Sequence, residues 1–161
     1  MKEAQRLFNI LKLRKLTIST AESCTGGKIA AALTDIPGSS AVFSGGFVTY
    51  QDIGKERDVN VSKKSLEKHT AVSLEVSRQM ALGALKKTGS DMALSTTGVA
   101  GPGKGEYGKP VGLVYISCAF RNKVVTRRCF FKGSRAAIRL AATKEAFRLG
   151  LDTFYKYGIK T

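Results

Sequence analysis

Apolar residues recur over the first fifteen positions at a helical interval. Leu7, Phe8, Ile10 and Leu11 stand among polar neighbours, and the spacing predicts an amphipathic helix over 2–15. The pattern then tightens to the β-branched run Leu16 to Thr20, which reads as a strand. Lys28 to Leu33 is alanine-rich and helical, and it stops before Asp35-Ile36-Pro37-Gly38, where proline and glycine break the pattern. Phe43 to Tyr50 is a second strand, its glycines marking a bulge or a close backbone approach. Gln51 to His69 is polar, with short helices expected around Val59 and Leu66. Ser73 caps a longer helix through Lys87, because Val76, Met80, Leu82, Ala84 and Leu85 form an apolar face. Asp91 to Thr97 is a strand that opens into a glycine-rich loop, Gly98 to Lys109. Val111 to Phe120 and Val124 to Phe131 flank Arg121-Asn122-Lys123 as a hairpin, and a helix from Ser134 to Tyr157 closes the chain.

This order predicts an α/β fold: one domain over residues 1–161, with a mixed β-sheet covered by helices on both faces. The hairpin excludes an all-parallel sheet. With 161 residues, 43% of them hydrophobic, the chain is long enough to bury a core of its own. No apolar stretch approaches the ~20 residues of a membrane span, and the N-terminus lacks the cationic-then-apolar order of a secretory signal. A cytoplasmic protein without a membrane partner is expected. Cys24, Cys118 and Cys129 are an odd count in no metal-binding spacing, so neither disulfides nor zinc are expected, and no cofactor is indicated. The net charge of +15, from 27 Lys and Arg against 12 Asp and Glu, favours anionic ligands and nonspecific contact with nucleic acid. The basic residues are scattered, not gathered into a stripe interleaved with aromatics, so a dedicated DNA- or RNA-binding role is not expected.

Candidate chemistry concentrates in Ala21-Glu22-Ser23-Cys24-Thr25-Gly26-Gly27, where a strand hands over to a helix. Two readings fit Ser23: a helix cap in a tight turn, or a nucleophile standing clear of the sheet. The N–H groups of Thr25, Gly26 and Gly27, opening a helix without intrahelical partners, would face an oxyanion or a phosphate. A serine needs a base, and the single histidine, His69, lies in a polar stretch. Lys55, five residues after Tyr50, is the better candidate if burial brings its pKa down from about 10.4; otherwise it is one more solvated lysine. Gly103 and Gly108-Lys109 match the spacing of a phosphate-binding P-loop. Pro110 replaces the Ser or Thr that would hold magnesium, and a strand follows where a helix is required, so a nucleoside triphosphatase is not expected. The loop is an anion cradle or a plain connection, with Thr96 and Thr97 at its entrance. Ser65-Leu66-Glu67-Lys68 has the Ser-x-x-Lys spacing of some serine acylases but no glycine corner beside it. Arg135 and Arg139, four apart, share a helix face and either clamp a phosphate or are solvated.

Five separated segments together resemble the CinA C-terminal-domain family over about 7–149. They are the Ser23 corner, Ser44 to Lys55, His69-Thr70-Ala71-Val72-Ser73, Ser95 to Gly103 and Lys109-Pro110-Val111-Gly112. The resemblance implies a metal-free amidohydrolase that converts nicotinamide mononucleotide to nicotinate mononucleotide and ammonia. Ser23 would be the nucleophile, Lys55 the base and Tyr50 its support, and a homo-oligomer is expected. Thr97, Gly98, Gly101, Gly103, Arg135 and Arg139 become candidates for ribose and phosphate contacts. The chain departs from the family pattern in three places. Gln51-Asp52-Ile53-Gly54 stands where Ser-Asn-Glu-Ala is more usual, Thr70 replaces a glycine, and Lys104 interrupts the glycine run. Two rivals remain: Cys24 as nucleophile with His69 as base, and a non-catalytic nucleotide- or nucleic-acid-binding module.

Overall fold

The computed structural model describes residues 1–159. In chain order the elements are α1 (Lys2–Leu13), β1 (Ile18–Glu22), α2 (Lys28–Thr34), β2 (Phe43–Val48), α3 (Asp52–Val59), α4 (Lys63–His69), α5 (Leu74–Thr88), β3 (Met92–Gly98), β4 (Leu113–Phe120), β5 (Lys123–Phe130) and α6 (Arg135–Tyr157). The strands form one sheet in the order β2-β1-β3-β4-β5. β1 runs parallel to β2 and β3, whereas β3–β4 and β4–β5 are antiparallel, so the sheet is mixed as the hairpin required. Helices α1, α2 and α6 cover one face over Ile18, Met92, Leu94, Ile116 and Phe120. Helices α3, α4 and α5 cover the other over Ala21, Ala93 and Ala119.

The two faces differ because their residues do. Large aliphatics and Phe120 fill the α6 side, while β1, β3 and β4 present alanine and serine to α5. Small residues let α5 lie close to the sheet, and the hydroxyls that come with them must then pair. Ser77 Oγ of α5 lies 2.8 Å from Ser117 Oγ, and Ser117 Oγ lies 2.7 Å from Thr126 Oγ1. Gly83 extends the same close packing to α3: a Cβ there would lie 1.8 Å from the Val59 carbonyl oxygen. Gly83→Ala is therefore expected to destabilise the domain by about 2 kcal/mol or more through overpacking, read as a lowered urea midpoint.

Element boundaries differ from the sequence pattern where local bonds intervene. The first strand begins at Ile18 and not Leu16, because Lys15 takes a positive φ of 54° and the Leu16 N–H still donates to the Leu11 carbonyl of α1. The second strand ends at Val48 and not Tyr50; β1 runs out at Glu22, its partner, and the next two carbonyls turn toward Lys55. β4 begins at Leu113 and not Val111, after Gly112 at φ 92°, where a Cβ would lie 1.9 Å from the Phe131 carbonyl oxygen. Both serine caps form as expected: Ser73 Oγ accepts from the Val76 N–H and Ser134 Oγ from the Ala137 N–H. Among the described residues no helix is long and apolar enough to cross a membrane.

Candidate active site

The carboxyl ends of the parallel strands β2, β1 and β3 lie side by side, the usual place for a site in such sheets. Ser23 follows β1 directly, and its N–H donates to the Thr96 carbonyl of β3 at 2.9 Å, so the ladder itself holds the residue in place. Lys55 sits on the first turn of α3 and reaches back to the strand ends. Its Nζ lies 3.2 Å from Ser23 Oγ, 2.9 Å from the Thr49 carbonyl and 3.4 Å from the Tyr50 carbonyl. The side chain is 1% exposed, which makes it one of the largest fully enclosed side chains in the domain. Burial holds the amine below the ordinary lysine value of 10.5, against the opposing fields of Asp52 and Glu106. The nearest carboxylate oxygen, Asp52 Oδ1, is 4.0 Å away. A neutral amine has two hydrogens and one lone pair. As an ammonium Nζ donates to Ser23 Oγ and to both carbonyls; in the neutral form the two carbonyls can take both hydrogens, which leaves the lone pair for the Ser23 hydroxyl.

A cavity of about 260 Å³ opens above this pair. Of the sequence candidates it is lined by Ser23, Tyr50, Lys55, Thr97, Gly98, Gly101, Gly103 and Arg135. Thr25, Gly26, Gly27 and Arg139 are not in its wall. The two arginines share a face of α6, as their spacing requires, yet they do not act together. Arg135 donates to the Gly101 carbonyl at 2.7 Å and to Tyr50 Oη at 2.8 Å, at the cavity mouth. Arg139 reaches behind the Ser23 turn and donates to the Cys24 and Thr25 carbonyls at 3.0 and 3.1 Å. Gly26 makes that approach feasible, since a Cβ there would lie 2.8 Å from Arg139 Nη2. Tyr50 thus meets Lys55 through its backbone carbonyl, and its hydroxyl is engaged by Arg135.

The helix start behind Ser23 is not the open anion site that its glycines predict. Glu22, wholly buried, accepts from the Thr25 hydroxyl at 2.7 Å and from the Ile29 and Ala30 N–H groups at 2.9 and 3.0 Å, so a carboxylate of the chain caps α2. The Gly26 N–H donates to the Ser23 carbonyl. Among the described residues, the Cys24 and Thr25 N–H groups have no protein acceptor. Because the peptide is planar and trans, the Arg139 bond to the Cys24 carbonyl turns the Thr25 N–H away from α6. An acid just ahead of the helix was the available signal for Glu22, but only the cap geometry gives it that role.

Two further residues shape the wall. Lys109 Nζ donates to Thr70 Oγ1 at 2.6 Å and to the Val72 carbonyl, tying the end of the glycine-rich loop to the α4–α5 connection. Thr97 Oγ1 adds a second tie, to the Ala71 carbonyl at 2.8 Å. Thr70 lies at φ 64°, ψ 166°, a region that favours glycine, at the position where the family pattern has one. His69 is exposed at the end of α4 and is not in the cavity wall. Cys24 lines the cavity, but burial pushes its thiol up to about 12. Cys24→Ala is therefore expected to retain more than half of any Ser23-dependent turnover, and thiol alkylation of the wild type should leave the Ser23 reaction in place. Both are read by product release.

Fold and site together define an α/β domain with a buried serine–lysine pair at the carboxyl ends of its parallel strands. The chain belongs to the CinA C-terminal domain family, whose sequence profile matches residues 1–154. It is 50% identical over 133 residues to a putative competence-damage inducible protein of Clostridium botulinum strain Langeland, covering 83% of this chain and 32% of that protein. A relative of the same description from Caldicellulosiruptor saccharolyticus is 45% identical over 151 residues, 94% of this chain and 37% of its own. The chain thus spans about a third of the length of these relatives. Solved structures match over nearly their whole length. The competence/damage inducible protein CihA from Agrobacterium tumefaciens superposes with a TM-score of 0.90 at 41% identity, covering 94% of this chain and 93% of that one. The competence damage-inducible protein A from Klebsiella pneumoniae gives 0.94 at 32% identity, with 97% of each chain covered.

Proposed function

We propose that this chain is a cytosolic amidohydrolase that converts nicotinamide mononucleotide to nicotinate mononucleotide and ammonia. The observation that carries the reading is the 3.2 Å approach of a buried lysine amine to the Ser23 hydroxyl. A lysine kept out of water, with carbonyls on its two hydrogens, has little use as a surface charge and is suited to accept a proton. In the first half-reaction Lys55 takes the Ser23 proton as Oγ bonds to the carboxamide carbon. The carbonyl electron pair moves to oxygen, where the Cys24 N–H group is the candidate donor. The C–N bond then breaks as Lys55 passes its proton to the departing ammonia, leaving an ester on Ser23. A water molecule repeats the sequence and releases the carboxylate with free Ser23.

No metal enters this scheme, since the base and the oxyanion donor belong to the chain. Arg135 at the mouth is suited to an anionic group such as the 5′-phosphate. The reading is tested by incubating the purified protein with nicotinamide mononucleotide, measuring ammonia and separating the acid product by chromatography. Stoichiometric release of both supports it. Binding of the nucleotide without release would return the chain to the non-catalytic binding class.

A further inference from the structure

One acid in the cavity is at odds with the chemistry beside it. Glu106, carried on the short 3-10 turn Glu106–Gly108 between β3 and β4, lines the cavity with Ser23, Lys55 and Arg135. It is the one acidic residue of that wall among the described residues. A carboxylate there repels a phosphate and helps to hold the proton on Lys55, so it works against both the proposed ligand and the proposed base. A group that opposes one half of a ligand is explained when it attracts the other half.

We propose that Glu106 is a specificity-determining residue that reads positive charge on the substrate ring, so that the site prefers a carboxamide borne on an N-alkylated pyridinium to an uncharged aromatic amide. This inference rests on the amidohydrolase reading. Two features of the wall support it. Arg135 and Glu106 place opposite charges in one cavity, which suits a ligand with an anionic phosphate and a cationic ring. Glu106 and Thr70 also line a neighbouring groove of about 210 Å³, whose wall carries Asp52, Glu56 and Glu67 against the single cation Lys63. This negative rim stands out in a chain whose net charge is +15.

The arrangement couples binding to the base. Lys55 is faced by Asp52 on its own helix, by Cys24 after β1 and by Glu106 from the loop, while Arg135 of α6 lines the same cavity. The two carboxylates favour the charged amine, whereas burial keeps the Cys24 thiol neutral at working pH. A cation seated against Glu106 offsets its field, so Lys55 gives up its proton more readily once substrate is bound. Activity depends on the unprotonated amine, so the acidic limb of kcat, which reports the bound enzyme, falls at lower pH than that of kcat/KM, which reports the free enzyme. In Glu106→Gln the free-enzyme limb moves to lower pH and the gap between the two narrows.

The test compares nicotinamide mononucleotide with its uncharged isostere, in which a benzamide ring replaces the pyridinium, on wild type and Glu106→Gln. The kcat/KM ratio of charged to uncharged amide should fall by roughly five-fold in the variant, the order expected for a partly solvated charge pair. Calorimetric binding of both compounds to the same two proteins, each also carrying Ser23→Ala, reads the preference without turnover. Ammonia release with an unchanged charge preference in Glu106→Gln overturns the role of Glu106 and leaves the hydrolase reading standing. A charge preference in binding that Glu106→Gln abolishes, with no ammonia from wild type, overturns the hydrolase reading and keeps Glu106. Neither binding nor release overturns both.

Discussion

Ser23→Ala is expected to lower kcat for amide hydrolysis by about three orders of magnitude or more, the size seen when a covalent nucleophile is removed, while the fold is retained. The substitution deletes one oxygen from a position that the backbone already holds, since the Ser23 N–H bond to the Thr96 carbonyl and the carbonyl bond from the Gly26 N–H are untouched. Substrate binding should change little, because Arg135 and the glycine-rich loop remain. Circular dichroism and a denaturant midpoint check the fold, and single-turnover release of ammonia measures the loss. Near wild-type turnover in folded Ser23→Ala would eliminate the serine mechanism.

Lys55→Arg should fail nearly as badly as Lys55→Ala, with both down by about three orders of magnitude. Arginine keeps the positive charge but stays protonated at any working pH, so it cannot take the Ser23 proton. If Lys55 acted only through its charge, arginine would restore much of the rate. In wild type the acidic limb of kcat/KM should report a group below the ordinary lysine value of 10.5, because burial opposes the charged form. The sign follows directly: activity needs the neutral amine, so it rises with pH through the depressed pKa and is lost below it. A limb at or above 10.5, or substantial rescue by arginine, would remove the general-base assignment. Since the side chain is 1% exposed and guanidinium is bulkier, folding of both variants is checked before their rates are compared.

Local pattern was enough to place the α-helices and strands to within a few residues, though not the 3-10 turn Glu106–Gly108, because amphipathic spacing and serine caps act over a few residues and do not depend on distant partners. It also singled out the Ser23 corner and the strand exit that carries Lys55. Element ends were less legible: Lys15 at positive φ and the carbonyls of Thr49 and Tyr50 are set by bonds that no local pattern encodes.

Within the site, sequence named the residue types and tertiary structure assigned them work. Arg135 and Arg139 look equivalent on a helical wheel, but the one turn of α6 between them, about 6 Å along the axis, places one at the mouth and the other behind the Ser23 turn. Tyr50, expected as the support of Lys55, meets it through its backbone carbonyl, while its hydroxyl accepts from Arg135. Glu22 and Glu106 are two acids among 12, told apart only because folding buries one against the start of α2 and sets the other in the cavity wall. Whether Lys55 is a solvated charge or a candidate base was likewise beyond the sequence. Desolvation depends on what α3 packs against, and that is settled by contacts between segments dozens of residues apart.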